Sequence, residues 1–215
     1  MRILVFAPHN DDEVLGEGGT IAKYARSGHE VRVCVAANGT GEDGPVNERD
    51  GRQAHRILGV SGAWFLNLPA MGLKDLGVVE LNGYLERIAA EFQPEIAFIP
   101  HRGDIHADHA VLARSAMVAL RPQYNPQLRA ILAYETLSET EWGIPTADNA
   151  FLPAVWNDIT STIDCKLEAL NAYTLQRRAF PHPRSPEAVC ALARLRGSTM
   201  CMDYAEAVML MRGSL

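Results

Sequence analysis

Ile3-Leu4-Val5-Phe6-Ala7-Pro8-His9-Asn10-Asp11-Asp12-Glu13 joins an apolar run directly to an imidazole and three carboxylates. A short, partly β-branched run of this kind predicts an inner strand of a parallel sheet, which is buried on both faces. In open α/β sheets ligands bind outside the carboxyl ends of the strands. The polar cluster is therefore predicted to stand where chemistry occurs. Each residue also has a plainer role open to it. Asp11 or Asp12 can cap the following helix, where an acidic side chain satisfies free amides and suits the dipole, and His9 can be a turn residue.

A second cluster, His101-Arg102-Gly103-Asp104-Ile105-His106-Ala107-Asp108-His109, again follows an apolar run, Ile96-Ala97-Phe98-Ile99-Pro100. Between and after these clusters the pattern alternates. Helices are predicted over 14–27, 47–58, 78–92, 109–120, 158–176 and 187–196, and strands over 30–37, 63–66 and 130–134. Residues 135–152 read as a long loop, and the apolar segment 204–211 fits helix or strand equally. The fold class is α/β, a Rossmann-like, mainly parallel sheet with helices on both faces, in a single domain spanning 1–215.

Composition narrows the function classes. The chain has 215 residues, is 47% hydrophobic, and carries 20 basic against 26 acidic residues for a net charge of −6. No basic surface is expected for nucleic acid or an anionic membrane. Cys34, Cys165, Cys190 and Cys201 are widely spaced, so they read as buried thiols of a reducing, cytoplasmic compartment rather than a disulfide frame or a cysteine zinc site. No stretch has the length of a signal-peptide core or a membrane span.

His9, Asp12 and His109 form a candidate three-ligand metal site, because nitrogen and carboxylate ligands with one open position suit catalytic zinc, whereas magnesium prefers oxygen throughout. Iron or cobalt can replace zinc in such a set. Asp11 is then a candidate general base, with helix capping as its alternative. His106 and His109, three apart, share one face if a helix begins there, so that one can ligate while the other works on substrate. Asp108 can hydrogen-bond one of these imidazoles and favour its charged form. The alternative is that His106 and Asp108 cap the helix.

The two clusters resemble the motifs of the PIG-L or LmbE-like family of zinc-dependent N-acetylglucosaminyl deacetylases, A-H-P-D-D-E and H-x-D-H or H-x-x-H. They match here as Pro8-His9-Asn10-Asp11-Asp12-Glu13 and His106-Ala107-Asp108-His109. Similarity extends through Leu15 to Thr20, the 54–60 helix end and Tyr204-Ala205-Glu206-Ala207. The resemblance implies His9, Asp12 and His109 as zinc ligands and Asp11 as the general base acting on water at the zinc. It further implies His106 as the acid that stabilises the oxyanion and protonates the leaving amine, Asp108 as its helper, and Arg49 as a substrate contact. The implied substrate is a small N-acetylated amino sugar or sugar conjugate, chosen by loops 39–45, 67–73 and 135–152. Members of the family are often oligomeric, and a homo-oligomer is compatible with the chain. Asn10 and Glu17 depart from the family pattern, which has proline at the first and a small residue or cysteine at the second.

Two other classes fit less well. A nucleotide-binding Rossmann protein is suggested by Gly16-Glu17-Gly18, but Ile21 holds its third glycine position. A non-catalytic zinc-binding module would have no use for Asp11 and His106.

Overall fold

A computed structural model describes residues 1–39 and 43–214. Its elements in chain order are β1 (Arg2–Ala7), α1 (Asp12–Arg26), β2 (Glu30–Asn38), α2 (Asp43–Leu58), β3 (Gly62–Pro69), a 3-10 turn (Leu73–Asp75), α3 (Val78–Phe92), β4 (Ile96–Pro100), α4 (Ala107–Ala119), β5 (Ala130–Tyr134), β6 (Val155–Asp158), α5 (Ile163–Asn171), α6 (Pro186–Ser198) and β7 (Ala205–Gly213). The strands form one sheet in the order β3-β2-β1-β4-β5-β7-β6. All neighbouring pairs run parallel except those of β7, which is antiparallel to both β5 and β6.

The expected α/β architecture is present, with helices on both faces. Along β1 the side chains alternate between two cores. Ile3, Val5 and Ala7 join α1, α2, α5 and α6 in one, while Leu4 and Phe6 join α3 and α4 in the other. Each large aliphatic residue buried in these layers contributes roughly 1.5–3 kcal/mol through removal from water. Burial on both faces makes β1 and β4 read as unbroken apolar runs. The chain leaves β1 toward β2 and β3 on one side and returns through β4 toward β5 on the other. That makes β1/β4 the reversal point of the sheet, and a cleft opens there in folds of this kind.

Local expectations are corrected or settled at four places. The helix expected over 158–176 starts at Ile163 and ends at Asn171, because Val155–Asp158 pairs with β7 as an edge strand and Asp158 caps the Thr160 amide in the turn that follows. Segment 205–213 is a strand, pinned between β5 and β6. Of the four thiols only Cys34 and Cys165 are buried; Cys190 is half-buried and Cys201 exposed, and all four are free. Of the expected 39–45 loop, 40–42 lie outside the described residues, and α2 already begins at Asp43. Among the described residues no helix is long and apolar enough to cross a membrane.

Helix α1 is interrupted at Glu17, whose φ of −124° and ψ of 18° are not helical. Its carboxyl is fully buried and neither oxygen has a hydrogen-bond partner. Burial, and then the negative Glu206 nearby, push Glu17 well above its ordinary value of 4.5, so the folded protein carries it neutral. The unfolded chain ionises it above about pH 4.5, so its contribution is fully present below that pH and is lost as pH rises. Against a Glu17→Gln variant, wild-type stability is expected to fall by up to about 1.4 kcal/mol per pH unit above about pH 4.5 until the buried carboxyl ionises. Denaturant unfolding of both proteins between about pH 4.5 and 8 measures this difference. A difference that stays constant over that range would show Glu17 to be ionised in the fold.

Candidate metal centre

The loop after β1 brings His9 through Asp12 over the end of the sheet, and the loop after β4 brings His101 through His109 to meet it. Asp11 occupies the left-handed region, φ 103°, immediately before α1. That conformation costs a non-glycine residue of order 1–3 kcal/mol, and it sends the side chains of Asp11 and Asp12 in different directions. Although Asp11 stands at the N-cap position, its side chain makes no cap bond. The Asp12 Oδ2 instead accepts the His9 amide at 3.0 Å and lies 3.3 Å from His9 Nδ1 and 3.2 Å from His109 Nε2.

His9, Asp12 and His109 thus offer three ligand atoms within 4.8 Å of one another. Two atoms of the set are left unsatisfied. His109 Nε2 and Asp12 Oδ1 are buried without a hydrogen-bond partner, an arrangement costly in a dry site unless something binds them. Asp104 Oδ2 accepts from His109 Nδ1 at 2.8 Å and Asp104 Oδ1 accepts from Thr140 at 2.6 Å. That carboxylate fixes the ring and leaves Nε2 as the atom available to a metal, the usual arrangement behind a metal-binding histidine. His9, His106 and Asp108 make a second group of the same compactness, but its atoms are committed. Asp108 accepts the Met71 and Leu73 amides at 2.7 and 3.1 Å and His9 Nε2 at 3.1 Å, and His106 Nδ1 accepts the Asp108 amide.

Electrostatics favour a cation between these groups. Burial opposes charge on His9, yet hydrogen bonds to Asp108 and Asp12 lift it to about 9. Burial likewise opposes charge on His109, and the Asp12 charge and Asp104 hydrogen bond lift it to about 10. Burial would raise Asp12, but the charge on His109 pulls it well below the carboxylate range. Carboxylates that hold two buried imidazoles protonated would equally hold a divalent ion in place of those protons, so the residues fit a metal.

The other expected residues are placed as follows. Asp11 is buried and accepts from Arg184 Nη1 at 2.9 Å. Burial pushes it up to about 7 against the downward pull of Arg184. His106 is half-buried, edge-on to His9 with ring centroids 4.6 Å apart. Burial, and then the charges of His9 and His109, lower it. Asp108 faces His9 rather than His106. For His106 the capping role and the place beside His9 coexist, since it is also the N-cap of α4. Arg49 stands apart as an exposed residue of α2, paired with Asp50. It lines a cleft of about 540 Å³ together with Asn38, Gly44, Pro45, Glu48 and Arg52. Asn38 ties that cleft to the centre, because its Oδ1 accepts from Asn10 at 2.7 Å.

Sequence reasoning missed Asp104, Arg184 and Glu139. Asp104 lies inside the second cluster and its spacing of five from His109 was a usable signal. Arg184 donates to Asp11, Glu139, Ser138 and Gln176, from a proline-rich break that carries no motif.

The family model described as PIG-L, GlcNAc-PI de-N-acetylase, matches residues 4–120. A Mycobacterium sp. (strain JLS) 1D-myo-inositol 2-acetamido-2-deoxy-alpha-D-glucopyranoside deacetylase is 26% identical over 89% of this chain and 78% of its own. Among solved structures, the conserved protein TT1542 of Thermus thermophilus superposes with a TM-score of 0.80 at 27% identity, covering 99% of this chain and 96% of that one. GalB of Pseudomonas putida KT2440, a 4-carboxy-2-hydroxymuconate hydratase, superposes with a TM-score of 0.78 at 19% identity over 100% and 97%. At that identity the likeness is one of fold alone.

Replacing His9, Asp12 or His109 by alanine is expected to abolish stable metal binding, because three ligands leave no redundancy. Asp104→Asn should weaken it by about 10–100-fold while leaving some binding. Metal content by mass spectrometry and chelator competition measure both. Full occupancy in His109→Ala would remove that residue from the ligand set.

Proposed function

The chain belongs to the PIG-L family and is a hydrolase of the deacetylase class, and on that premise we propose that it removes an N-acetyl group from a small amino sugar or sugar conjugate with the help of zinc held by His9, Asp12 and His109. The observation that carries this reading is the pair of unsatisfied buried ligand atoms, His109 Nε2 and Asp12 Oδ1, beside a carboxylate, Asp11, that is free of any helix-capping bond. Two nitrogens and one carboxylate favour zinc, with Fe²⁺ or Co²⁺ as substitutes. When bound, the ion supplies Lewis acidity to the amide carbonyl and to the attacking water.

The remaining work falls to this chain's own side chains. Asp11, held from one side by Arg184, takes the proton of the attacking water as general base. His106 accepts the Asp108 amide at Nδ1, so in its neutral form the hydrogen sits on Nε2. That N–H is the donor we assign to the carbonyl oxygen as it gains negative charge. With His106 thus neutral, the proton gained by Asp11 is the one passed to the departing amine, a narrower role for His106 than full acid catalysis. Asp108 steadies His9 and the start of α4. The 540 Å³ cleft lined by Arg49 is the proposed seat of the rest of the sugar conjugate, where Arg49 donates hydrogen bonds to its oxygens.

Asp11→Asn is expected to keep its metal and lose about 10²–10⁴-fold in kcat, the scale of a positioned general base. His106→Ala should lower kcat more than it changes KM, since the hydrogen bond strengthens as charge develops. Acetate release from a panel of N-acetylated amino sugars and their conjugates, with metal content measured on the same samples, checks all three statements. Near-normal turnover by Asp11→Asn would reduce Asp11 to a turn residue, and absence of acetate from every substrate by a metal-loaded protein would defeat the deacetylase reading.

A further inference from the structure

An unbroken α-helix would bond the amide of residue 19 to the carbonyl of 15, and that of 20 to 16. The non-helical backbone at Glu17 separates these groups, and a single buried ion pair occupies the gap. Lys166 Nζ donates to the Leu15 and Gly16 carbonyls at 2.8 and 3.4 Å. Glu206 Oε1 and Oε2 accept the Gly19 and Thr20 amides at 2.9 and 2.7 Å. Lys166 and Glu206 meet at 2.6 Å, with their side chains 5% and 4% exposed. The cation therefore caps the carboxyl end of the first segment of α1 and the anion caps the amino end of the second, each matched to the local dipole.

We propose that Lys166 and Glu206 are positioning residues for the metal centre, fixing the direction in which the first turn of α1 presents Asp12; this rests on the metal-site reading given above. A straight helix would satisfy the same four backbone groups without taking two charges out of water, which is expensive. What the inserted pair adds is a set angle between the two segments. Asp12 lies five residues before Glu17, a lever of about 7 Å at 1.5 Å per residue. A change of aim by about 20°, the size of an ordinary kink, would shift it by about 2–3 Å, several times the roughly 0.5 Å within which a functional site must be held. Asp12 is also the ligand that touches both His9 and His109, so a shift there disturbs the whole set. Lys166 comes from α5 and Glu206 from β7, beyond the 4–120 segment that holds the ligands.

The test uses the whole 215-residue chain, stripped of metal and titrated with zinc under chelator competition, with the visible spectrum of the cobalt-loaded form as a readout of ligand geometry. Glu206→Gln is compared with wild type, His109→Ala and Leu85→Ala, the last a cavity in the α3 layer that costs stability far from α1. The double variant Lys166→Gln/Glu206→Gln removes both buried charges and so keeps the test alive should Glu206→Gln fail to fold. The expected result is zinc affinity about 10–100-fold weaker and an altered cobalt spectrum in the Glu206 and double variants, with neither change in Leu85→Ala. Wild-type affinity and spectrum in a folded Glu206 or double variant would overturn the positioning role. So would equal weakening in Leu85→Ala, which would make the effect one of general stability. Failure of wild type to bind zinc, or undiminished binding by His109→Ala, would instead overturn the metal-site reading, and the positioning role with it.

Discussion

A carboxylate sealed from water must find positive charge close by, and Asp12, fully buried at the junction of β1 and α1, sets that requirement for everything around it. Without such charge it would take up a proton, as the buried Glu17 does, and lose its attraction for a cation. His9, three residues away, comes from the same turn and supplies one imidazole. The second, His109, arrives from the far side of the sheet reversal, so the candidate ligands are split between two loops almost a hundred residues apart. The parallel register of β1 with β4, Val5 opposite Phe98, ends both strands at the same level, so the two loops leave the sheet side by side. The candidate metal centre is thus a consequence of strand order as much as of the side chains themselves.

That dependence also marks what was legible in the sequence. The runs 3–6 and 96–100 announce their strands because both faces are buried, and the polar residues that interrupt them then have one place to go. The family motifs lie on those interruptions. Less could be read where tertiary pairing decides the outcome. Segment 205–213 is apolar at its start and exposed toward its end, which no period separates from a helix; only pairing with β5 and β6 makes it a strand. Asp158-Ile159-Thr160 has the composition of a helix start, and the aspartate does cap a backbone amide, but in a turn that ends a strand. Arg184 reaches Asp11 across 173 positions, and no local pattern encodes such a contact.

The departure at Asn10 shows how one local constraint can be exchanged for another. Proline would restrict the turn through its ring. Asn10 is held instead by its hydrogen bond to Asn38, which in turn donates to Gly44 and Asn67. Gly51 is part of this arrangement, because a Cβ there would come within 2.5 Å of Asn10 Oδ1. The loop after β1 is therefore anchored to the carboxyl ends of β2 and β3, the walls of the cleft beside Arg49. GalB shares the fold while bearing the name of a hydratase, so it is the site and its walls, not the sheet, that separate one chemistry from another.

Asp11 and Asp12 are adjacent in sequence and equally buried, yet their environments drive them in opposite directions, the first up to about 7 and the second well below the carboxylate range. Burial is the leading influence on both and acts upward on both. What separates them is the company each side chain keeps after the left-handed turn at Asp11: Asp12 is directed at two imidazoles, while Asp11 has one guanidinium and the repulsion of Asp12 and Glu13. Two titratable groups pushed apart in this way can divide the work, one remaining an anion that binds and the other free to take up and release a proton near neutrality. A helical or extended φ at position 11 would direct the two carboxylates differently and remove the distinction. The left-handed backbone at Asp11 is thus what sets two adjacent carboxylates in different surroundings.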